Sequence, residues 1–297
     1  MTLRIGTSEP GGTFHTQGAA IAAILAGDGT EVVLETTTTA SVGNAIGLDE
    51  DKIDFGCMAS NWIGRARTGS PPFADPIDLR MVAPLSAGPL FFVTLADKAL
   101  SDITELKGKR VAVGLEQSGM TQHVRVMFDA LGMPFNDIEP AWLGFKDGAD
   151  ALAAGAVDAQ FQCPIPNAVM TELSMRADIR VLPMTDGHIS RLLEAVPYYR
   201  RVTMRAGALR GLDADCAQIG VLNVLVTHAR ADRDMVQYVA HSLCEHAHDL
   251  ELLNPLFHGL PALFEPLQSD GIEALEHGGV ALHEGAVAAY RDAGYLD

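Results

Sequence analysis

Short segments rich in glycine, serine and threonine recur where a strand pattern gives way to a helix pattern. They are Gly11-Gly12-Thr13, Thr38-Thr39-Ala40-Ser41, Ala59-Ser60-Asn61 and Ser118-Gly119-Met120-Thr121. The first N–H groups of a helix lack intrahelical acceptors and carry positive partial charge, so a carboxylate or phosphate binds well there. Glycine lets the backbone approach a ligand, and hydroxyl groups add donors. The pattern predicts a site for a small organic anion, although each serine taken singly is typical of a helix N-cap.

Two cysteines and two histidines allow a catalytic interpretation of the same region. Cys57 and Cys163 end predicted strands, and His15 and His123 lie near predicted helix starts. Two thiols that face a ligand from opposite sides suit a racemase or isomerase, provided that a neighbour lowers a thiol pKa. Buried cysteines that act as small hydrophobic residues are the other interpretation. An enzyme of the isomerase, racemase or decarboxylase class therefore stays open as an alternative to a binding protein.

Motifs for other chemistries are missing from the sequence. It contains no P-loop, no G-x-G-x-x-G, no G-x-S-x-G and no H-E-x-x-H, so we expect no nucleotide cofactor, serine nucleophile or zincin site. His241, Glu245 and His248 lie four and three residues apart on a predicted helix, a spacing that can bind a metal. A solvated or half-buried helix stripe explains them better, and we predict no metal.

Composition limits the partners. The chain has 297 residues, 48% of them hydrophobic and 20% charged, with a formal net charge of −17. This charge disfavours nucleic acid and anionic membranes as partners. No apolar run reaches the roughly 18 residues of a membrane span, so we expect no direct membrane insertion. The start of the chain shows no signal-peptide pattern, which predicts a periplasmic location if a leader was removed and a cytoplasmic one otherwise.

The elements that must position these residues alternate along the chain. We predict strands at 3–7, 31–36, 53–58, 79–85, 90–95, 110–114, 142–144, 157–162, 179–183 and 218–227. We predict helices at 14–26, 41–48 (with Ser41 as the N-cap), 61–67, 120–131 (closed by Gly132), 147–154, 168–175, 232–253 and 284–293. Alternation of this kind predicts a mostly parallel sheet covered on both faces. Because the pattern restarts near residue 96, the prediction is a two-lobed α/β protein with a ligand cleft between lobe I (1–95 plus 223–297) and lobe II (96–222).

An ordered set of short motifs resembles a known family over nearly the whole chain. In the first half the motifs are Ile5-Gly6-Thr7, Gly11-Gly12-Thr13-Phe14, Thr38-Thr39-Ala40-Ser41-Val42-Gly43-Asn44, Asp54-Phe55-Gly56 with Ser60, Leu106-Lys107-Gly108-Lys109-Arg110-Val111-Ala112-Val113-Gly114, and Ser118-Gly119 with Thr121. Later motifs are Ala149-Asp150-Ala151-Leu152, Val157-Asp158-Ala159, Pro166-Asn167, Pro197-Tyr198-Tyr199 and Leu282-His283-Glu284-Gly285-Ala286. Together they resemble the TAXI family of extracytoplasmic solute receptors of TRAP transporters.

This resemblance implies a type II periplasmic-binding-protein fold with two lobes joined by crossing strands. It implies capture of glutamate or a related carboxylate by hinge closure, and delivery to TRAP membrane permease subunits. The ligand-binding set that we predict from the loops and the resemblance is Gly12, Thr13, Phe14, Ser41, Ser60, Asn61, Ser118, Gly119, Thr121, Cys163, Pro166, Asn167 and Tyr198. A relative that works inside the cell, as a sensor or as an enzyme that uses Cys57 and Cys163 or His15 and His123, is the alternative.

Overall fold

The computed structural model describes residues 2–10, 12–116, 118–162, 165 and 167–297. Its strands are β1 (Thr2–Gly6), β2 (Glu31–Glu35), β3 (Phe55–Ala59), β4 (Leu79–Leu95), β5 (Arg110–Ala112), β6 (Glu139–Ala141), β7 (Ala159–Gln162), β8 (Ile179–Val181), β9 (Tyr199–Met204) and β10 (Cys216–His228). The helices are α1 (Thr13–Gly27), α2 (Ser41–Asp49), α3 (Ser60–Thr68), α4 (Gly119–Leu131), α5 (Phe145–Ala153), α6 (Ala168–Arg176), α7 (Asp186–Ala195), α8 (Arg233–Glu245), α9 (Ala247–Leu253), α10 (Leu260–Phe264), α11 (Pro266–Asp270) and α12 (Glu284–Asp292). Short 3-10 segments lie at Ile103–Leu106, Phe135–Asp137, Pro255–Phe257 and Gly271–Leu275.

The chain divides into two compact units. The first comprises Met1–Ser86 and Leu222–Asp297, and the second comprises Ala87–Val221. Each boundary falls inside a strand, because β4 and β10 both run from one unit into the other. Among the residues described above, no helix is long and apolar enough to cross a membrane.

The first unit is built on a sheet with the strand order β2-β1-β3-β10. β1 runs parallel to both β2 and β3, whereas β10 is antiparallel to β3. Leu3, Ile5 and Phe55 are almost fully buried, which makes the centre of this sheet the core of the unit. Because β1, β2 and β3 are parallel, their carboxyl ends share one edge of the sheet, and α1, α2 and α3 start from that edge.

The second unit repeats the arrangement with the strand order β4-β7-β5-β6. β5 is parallel to β6 and β7, and β4 is antiparallel to β7. β8 pairs with β4, and β9 pairs with the first half of β10. One face of this sheet carries a stack of three buried aromatic rings, in which Phe92 lies 5.1 Å from Phe161 and 5.8 Å from Phe128 between ring centroids.

Four predicted elements need correction. The strands predicted at 79–85 and 90–95 form the single strand β4, because the small residues between them keep an extended backbone. The strand predicted at 142–144 lies at Glu139–Ala141, where Pro140 is tolerated because β6 is an edge strand. The helix predicted over 232–253 breaks at His246, whose φ of −99° and ψ of 21° end α8 before α9 begins. No glycine or proline marks that break.

His283 makes the stability of the fold depend on pH. The residue is the N-cap of α12, where its ring Nδ1 accepts a hydrogen bond from the Gly285 N–H at 3.1 Å. Burial lowers the pKa of His283, and the neighbouring Arg80 charge acts in the same direction. As the pH falls, His283 is therefore protonated at a higher pH in the unfolded chain than in the folded protein. The contribution of neutral, buried His283 to the free energy of unfolding is therefore complete above the ordinary histidine pKa of about 6.5 and declines as the pH falls below it.

We expect the free energy of unfolding, measured with urea, to decrease as pH falls from about 7 towards 5. The variant His283→Asn retains a cap acceptor but does not titrate in this range, so its decrease should be smaller. Burial also lowers the pKa of His228, which leaves part of the decrease in the variant. An identical pH dependence in both proteins would contradict this role of His283.

Candidate functional site

The shared edge of the first unit presents three helix starts whose N-cap residues do not cap the helix with a side chain. The N-cap residues of α1, α2 and α3 are Gly12, Ala40 and Ala59, and none makes a side-chain cap hydrogen bond. Ser41 and Ser60 are each the first residue inside their helix, so their predicted use as N-caps is wrong. In each case the N-cap is the alanine one residue earlier in the chain, where the backbone is not yet helical. The hydroxyl groups of both serines are therefore available for other contacts.

Ser41 uses its hydroxyl group to hold α2 against the end of β3. Its Oγ accepts a hydrogen bond from the Ala59 N–H at 3.0 Å, and the residue is buried. Ala40, directly before it, has φ of 45° and ψ of −114°, a conformation that residues other than glycine rarely adopt. Strain of this kind costs about 1–3 kcal/mol and clusters at functional sites. The prediction that Ser41 contacts a ligand is untested, and its hydroxyl already has a structural partner.

Ser60 and Asn61 at the start of α3 differ from Ser41 in having unsatisfied polar atoms. Both side chains are buried, with 3% and 7% of their surface exposed. Within the described residues, neither the Ser60 Oγ nor the Asn61 Oδ1 has a hydrogen-bond partner. An unsatisfied buried polar group costs about 1–3 kcal/mol. One explanation for unsatisfied buried polar atoms in a native protein is a bound molecule that supplies their hydrogen-bond partners.

Three further polar residues, which the sequence did not single out, extend this group. The Oγ of Ser86 accepts hydrogen bonds from Gln17 Nε2 at 2.9 Å and from Asn223 Nδ2 at 3.3 Å. All three side chains are buried, and the Gln17 Oε1 has no partner among the described residues. Asn223 lies opposite Ala59 in the register of β10 and β3, which places the trio beside the start of α3. We call Gln17, Ser60, Asn61, Ser86 and Asn223 the polar cluster.

A signal for two of these missed residues exists in the sequence. Ser86 and Asn223 interrupt the apolar runs of β4 and β10, whereas Gln17 lies just before the alanine-rich part of α1 and has no such signal. A polar residue inside an apolar run is informative because burial of a polar group is costly unless a partner is present.

The loop before α1 is closed by a residue outside the predicted set. Ser8 Oγ accepts a hydrogen bond from the His15 N–H at 3.2 Å, and the Gly12 N–H donates to the Glu9 carbonyl at 2.9 Å. A Cβ on Gly12 would lie 2.5 Å from the Ser8 Oγ, so the tight turn requires glycine. Thr13 is half-buried and Phe14 is buried. The Gly12-Thr13-Phe14 segment thus lies at the start of α1, four residues before Gln17.

In the second unit, Ser118 and Thr121 hold the turn between β5 and α4. Ser118 is the N-cap, as predicted, and its Oγ accepts from the Thr121 N–H at 3.4 Å. Thr121 Oγ1 lies 3.1 Å from the Val113 carbonyl oxygen and 2.8 Å from that of Leu115. Both hydroxyl groups therefore have structural partners, and Gly119 is the first residue of α4. Their contact with a ligand remains a prediction.

The other residues predicted in the second half occupy separate positions. Asn167 is the N-cap of α6, and its Oδ1 accepts from the Met170 N–H at 2.8 Å. Tyr198 is half-buried and meets Tyr199 edge to face, with 5.0 Å between ring centroids. Cys163 and Pro166 lie outside the described residues.

The catalytic interpretation of Cys57 does not fit its surroundings. Cys57 lies in the middle of β3 opposite Leu225, is fully buried, and its thiol pKa is raised by burial to about 12. A nucleophilic or basic thiol needs a lowered pKa. His123 is buried with its Nδ1 at 3.1 Å from the Tyr199 hydroxyl, and His15 is half-buried. Cys57 is therefore a core residue, and its surroundings do not suit one of the two catalytic thiols of the isomerase hypothesis.

We expect thiol labelling to distinguish these environments. Treatment of the native protein with iodoacetamide at pH 8, followed by peptide mass spectrometry, should leave Cys57 and Cys244 unmodified, because burial raises both thiol pKa values to about 12. Cys216, which is half-buried, should react faster. The same treatment in concentrated urea is the control and should label all three. Labelling of Cys57 in the native protein at the unfolded rate would contradict its place in the core.

The residues considered for a metal do not converge. His241 Nε2 lies 3.5 Å from Glu245, but His248 is 84% exposed and lies 3.4 Å from Glu251 instead. The described parts of the chain contain no group of three or more histidine, cysteine, aspartate or glutamate residues suited to a metal ion.

Comparison with known proteins agrees with the fold. The sequence profile of the NMT1-like family matches residues 5–294. A putative sulfonate ABC transporter protein, the periplasmic sulfonate-binding protein SsuA from Methylobacillus flagellatus KT, is 13% identical, with a TM-score of 0.58 over 99% of this chain and 95% of that one. The BenM effector-binding domain with its effector benzoate is also 13% identical, with a TM-score of 0.51 over 85% of this chain and 94% of that domain. At these identities the likeness concerns the fold alone. The chain therefore belongs to the NMT1-like family, and it has the mixed α/β fold of the periplasmic solute-binding proteins.

Proposed function

We propose that this protein is a solute-binding protein that holds a small organic anion at the polar cluster of its first unit. The observation that carries the proposal is the set of unsatisfied buried atoms: Gln17 Oε1, Ser60 Oγ and Asn61 Oδ1. Gln17 Oε1 and Asn61 Oδ1 accept hydrogen bonds and therefore need a ligand group that donates, such as an ammonium or a hydroxyl, whereas the Ser60 hydroxyl can donate to an anionic group. A ligand that carries both kinds of group would remove the cost that each unsatisfied atom imposes on the ligand-free protein.

The starts of two helices favour a ligand with a negatively charged group. α1 and α3 begin at the edge where the cluster lies, and the N-cap residue of neither helix makes a side-chain cap hydrogen bond. The N–H groups at a helix start favour a carboxylate, sulfonate or phosphate even in an acidic protein, because the interaction is local. All five cluster residues are neutral. Arg4 is engaged elsewhere in the unit, with its Nη2 at 2.9 Å from Asp54. Backbone and neutral side chains would therefore hold the anion without a dedicated cation.

Two relatives in fold support a small anion as the ligand class. One is described as a sulfonate-binding protein, and the other contains benzoate. The motif resemblance to the TAXI family supports the narrower proposal of a carboxylate or amino acid such as glutamate, delivered to a TRAP permease from a periplasmic location.

A thermal-shift screen tests the proposal. The probes are L-glutamate, 2-oxoglutarate, succinate, benzoate and methanesulfonate, each followed by isothermal titration calorimetry when it shifts the melting temperature. A ligand present at 100 times its Kd should stabilise the protein by about 2.7 kcal/mol. No shift with any probe would count against the proposal.

The same screen separates binding from catalysis. A solute-binding protein returns its ligand unchanged, so NMR spectra of each bound probe after long incubation in D2O should show neither product nor deuterium at carbon above the protein-free rate. Conversion of a probe, or protein-dependent deuterium incorporation, would favour the isomerase alternative. Alanine variants of Ser118, Thr121, Asn167 and Tyr198 test the ligand contacts that remain predictions.

A further inference from the structure

Three fully buried glutamines face the same core of the second unit. Gln160 and Gln162 alternate with Phe161 along β7, so both point away from the aromatic stack that Phe161 joins. Their register partners on β4 are Val93 and Phe91, which belong to the core on that opposite face. Gln218 on β10 is oriented towards the same core. Its Nε2 lies 3.4 Å from the Sγ of Cys216, and Cys216 packs against that core. All three glutamines have 0% of their surface exposed.

Two of the three side chains have a clear structural use. Gln160 Nε2 donates to the Phe145 carbonyl at 2.8 Å, which ties β7 to the start of α5. Gln218 Nε2 donates to the Leu182 carbonyl at 3.0 Å. Gln162 is different, because neither its Nε2 nor its Oε1 has a hydrogen-bond partner among the described residues. A wholly buried amide without hydrogen-bond partners destabilises the ligand-free protein, because its desolvation is not compensated.

The position of Gln162 is the one from which α/β sheets contact ligands. Gln162 is the last residue of β7, and β7 is parallel to β5. The carboxyl ends of these two strands share an edge, and α4 and α6 start after them with the N-caps Ser118 and Asn167. Ligands of open α/β sheets lie beyond this edge.

We propose that Gln162 is a ligand-recognition residue of the second unit. A primary amide offers N–H donors and a carbonyl acceptor side by side. It therefore fits a ligand group that accepts and donates together, such as the carboxylate and ammonium of an amino acid or a carboxamide. The inference rests on the proposed solute-binding function and adds a recognition group to it.

The matched variants Gln162→Met and Gln160→Met test this inference. Methionine has a similar length and no strong hydrogen-bonding group. Two quantities are measured for each full-length variant: the melting temperature without ligand, and the Kd of whichever screened probe (L-glutamate, 2-oxoglutarate, succinate, benzoate or methanesulfonate) binds the wild type most tightly. For Gln162→Met we expect an unchanged or higher melting temperature and a Kd raised roughly tenfold or more. For Gln160→Met we expect a lower melting temperature and a nearly unchanged Kd.

The outcomes separate this inference from the function on which it rests. If the wild type binds a probe and Gln162→Met binds it equally well, the inference is overturned and the proposed function stands; a buried water molecule would then be the partner of the amide. A melting temperature that falls as far in Gln162→Met as in Gln160→Met would also overturn it, since the amide would then be structural. If the wild type binds no probe, the proposed function fails and the inference fails with it.

Discussion

Replacement of Ser60 by alanine is expected to weaken ligand binding about tenfold or more without destabilising the ligand-free protein. The Ser60 Oγ is buried and has no partner among the described residues, so its removal takes away no hydrogen bond that the structure records. A hydrogen bond between this hydroxyl and a charged ligand group would contribute about 1.5–3 kcal/mol to binding. Calorimetry gives the change in Kd, and urea unfolding gives the stability of the ligand-free protein.

Ser41→Ala is the matched control, because Ser41 holds the corresponding position at the start of the neighbouring helix. Its Oγ accepts from the Ala59 N–H at 3.0 Å, so the substitution removes the acceptor of a backbone donor. We expect a loss of about 1–3 kcal/mol in the free energy of unfolding. Ser41→Ala should thus lower the free energy of unfolding, whereas Ser60→Ala should not. If Ser60→Ala is as destabilising as Ser41→Ala, or leaves the Kd unchanged, Ser60 is not a ligand-binding residue.

Gly285→Ala is expected to destabilise the protein by about 3 kcal/mol or more, although the change adds a single methyl group. Gly285 lies in the first turn of α12, where that helix crosses α8. A Cβ at this position would lie 2.3 Å from the Arg233 carbonyl oxygen and 2.8 Å from the Gln237 nitrogen. Both atoms belong to the backbone, so no side-chain rotation relieves the clash, and the two helices must separate. Urea unfolding of the wild type and variant measures the loss.

Gly27→Ala is the control for the intrinsic effect of replacing glycine by alanine. Gly27 is the last residue of α1 and is exposed, and a Cβ added there would meet no neighbouring atom within 4 Å. We expect this variant to be unchanged or up to about 1 kcal/mol more stable, because alanine favours the helix. Equal stabilities of the two variants would show that the contact between α8 and α12 tolerates a methyl group.

Much of the fold was predictable because its signals are local. The repeated strand–loop–helix pattern predicted each parallel strand of the first unit to within about two residues, the usual uncertainty of element boundaries. Gly132 was predicted to close α4, and it does so with φ of 73°, a conformation that glycine adopts readily. Ser118 was predicted as a possible cap, and its side chain makes that hydrogen bond. In these cases the residues that interact are neighbours in the chain.

The exact positions of the helix N-caps and the burial of Cys57 were less predictable. Ser41 and Ser60 have the composition of N-caps, yet the chain turns into the helix one residue before each of them. Cys57 stands close to the end of a strand, but its exposure depends on what covers that strand. Leu225 of β10, more than one hundred and fifty residues later in the sequence, lies opposite it. The residue pattern of a single segment predicts neither the exact N-cap residue nor the burial of Cys57.

Local sequence signals are enough to predict the α/β class, the repeating unit and the glycine- and serine-rich helix starts, since each follows from backbone preferences and hydrophobic periodicity over a few residues. The polar groups without partners, by contrast, are visible only in three dimensions. Gln17 and Asn223 meet at Ser86 across separations of 69 and 137 residues, while Ser60 and Gln162 are buried with no partner among the described residues. Hydrogen-bond satisfaction depends on which distant segments the fold brings together. The candidate binding groups therefore became identifiable only after the strands were paired.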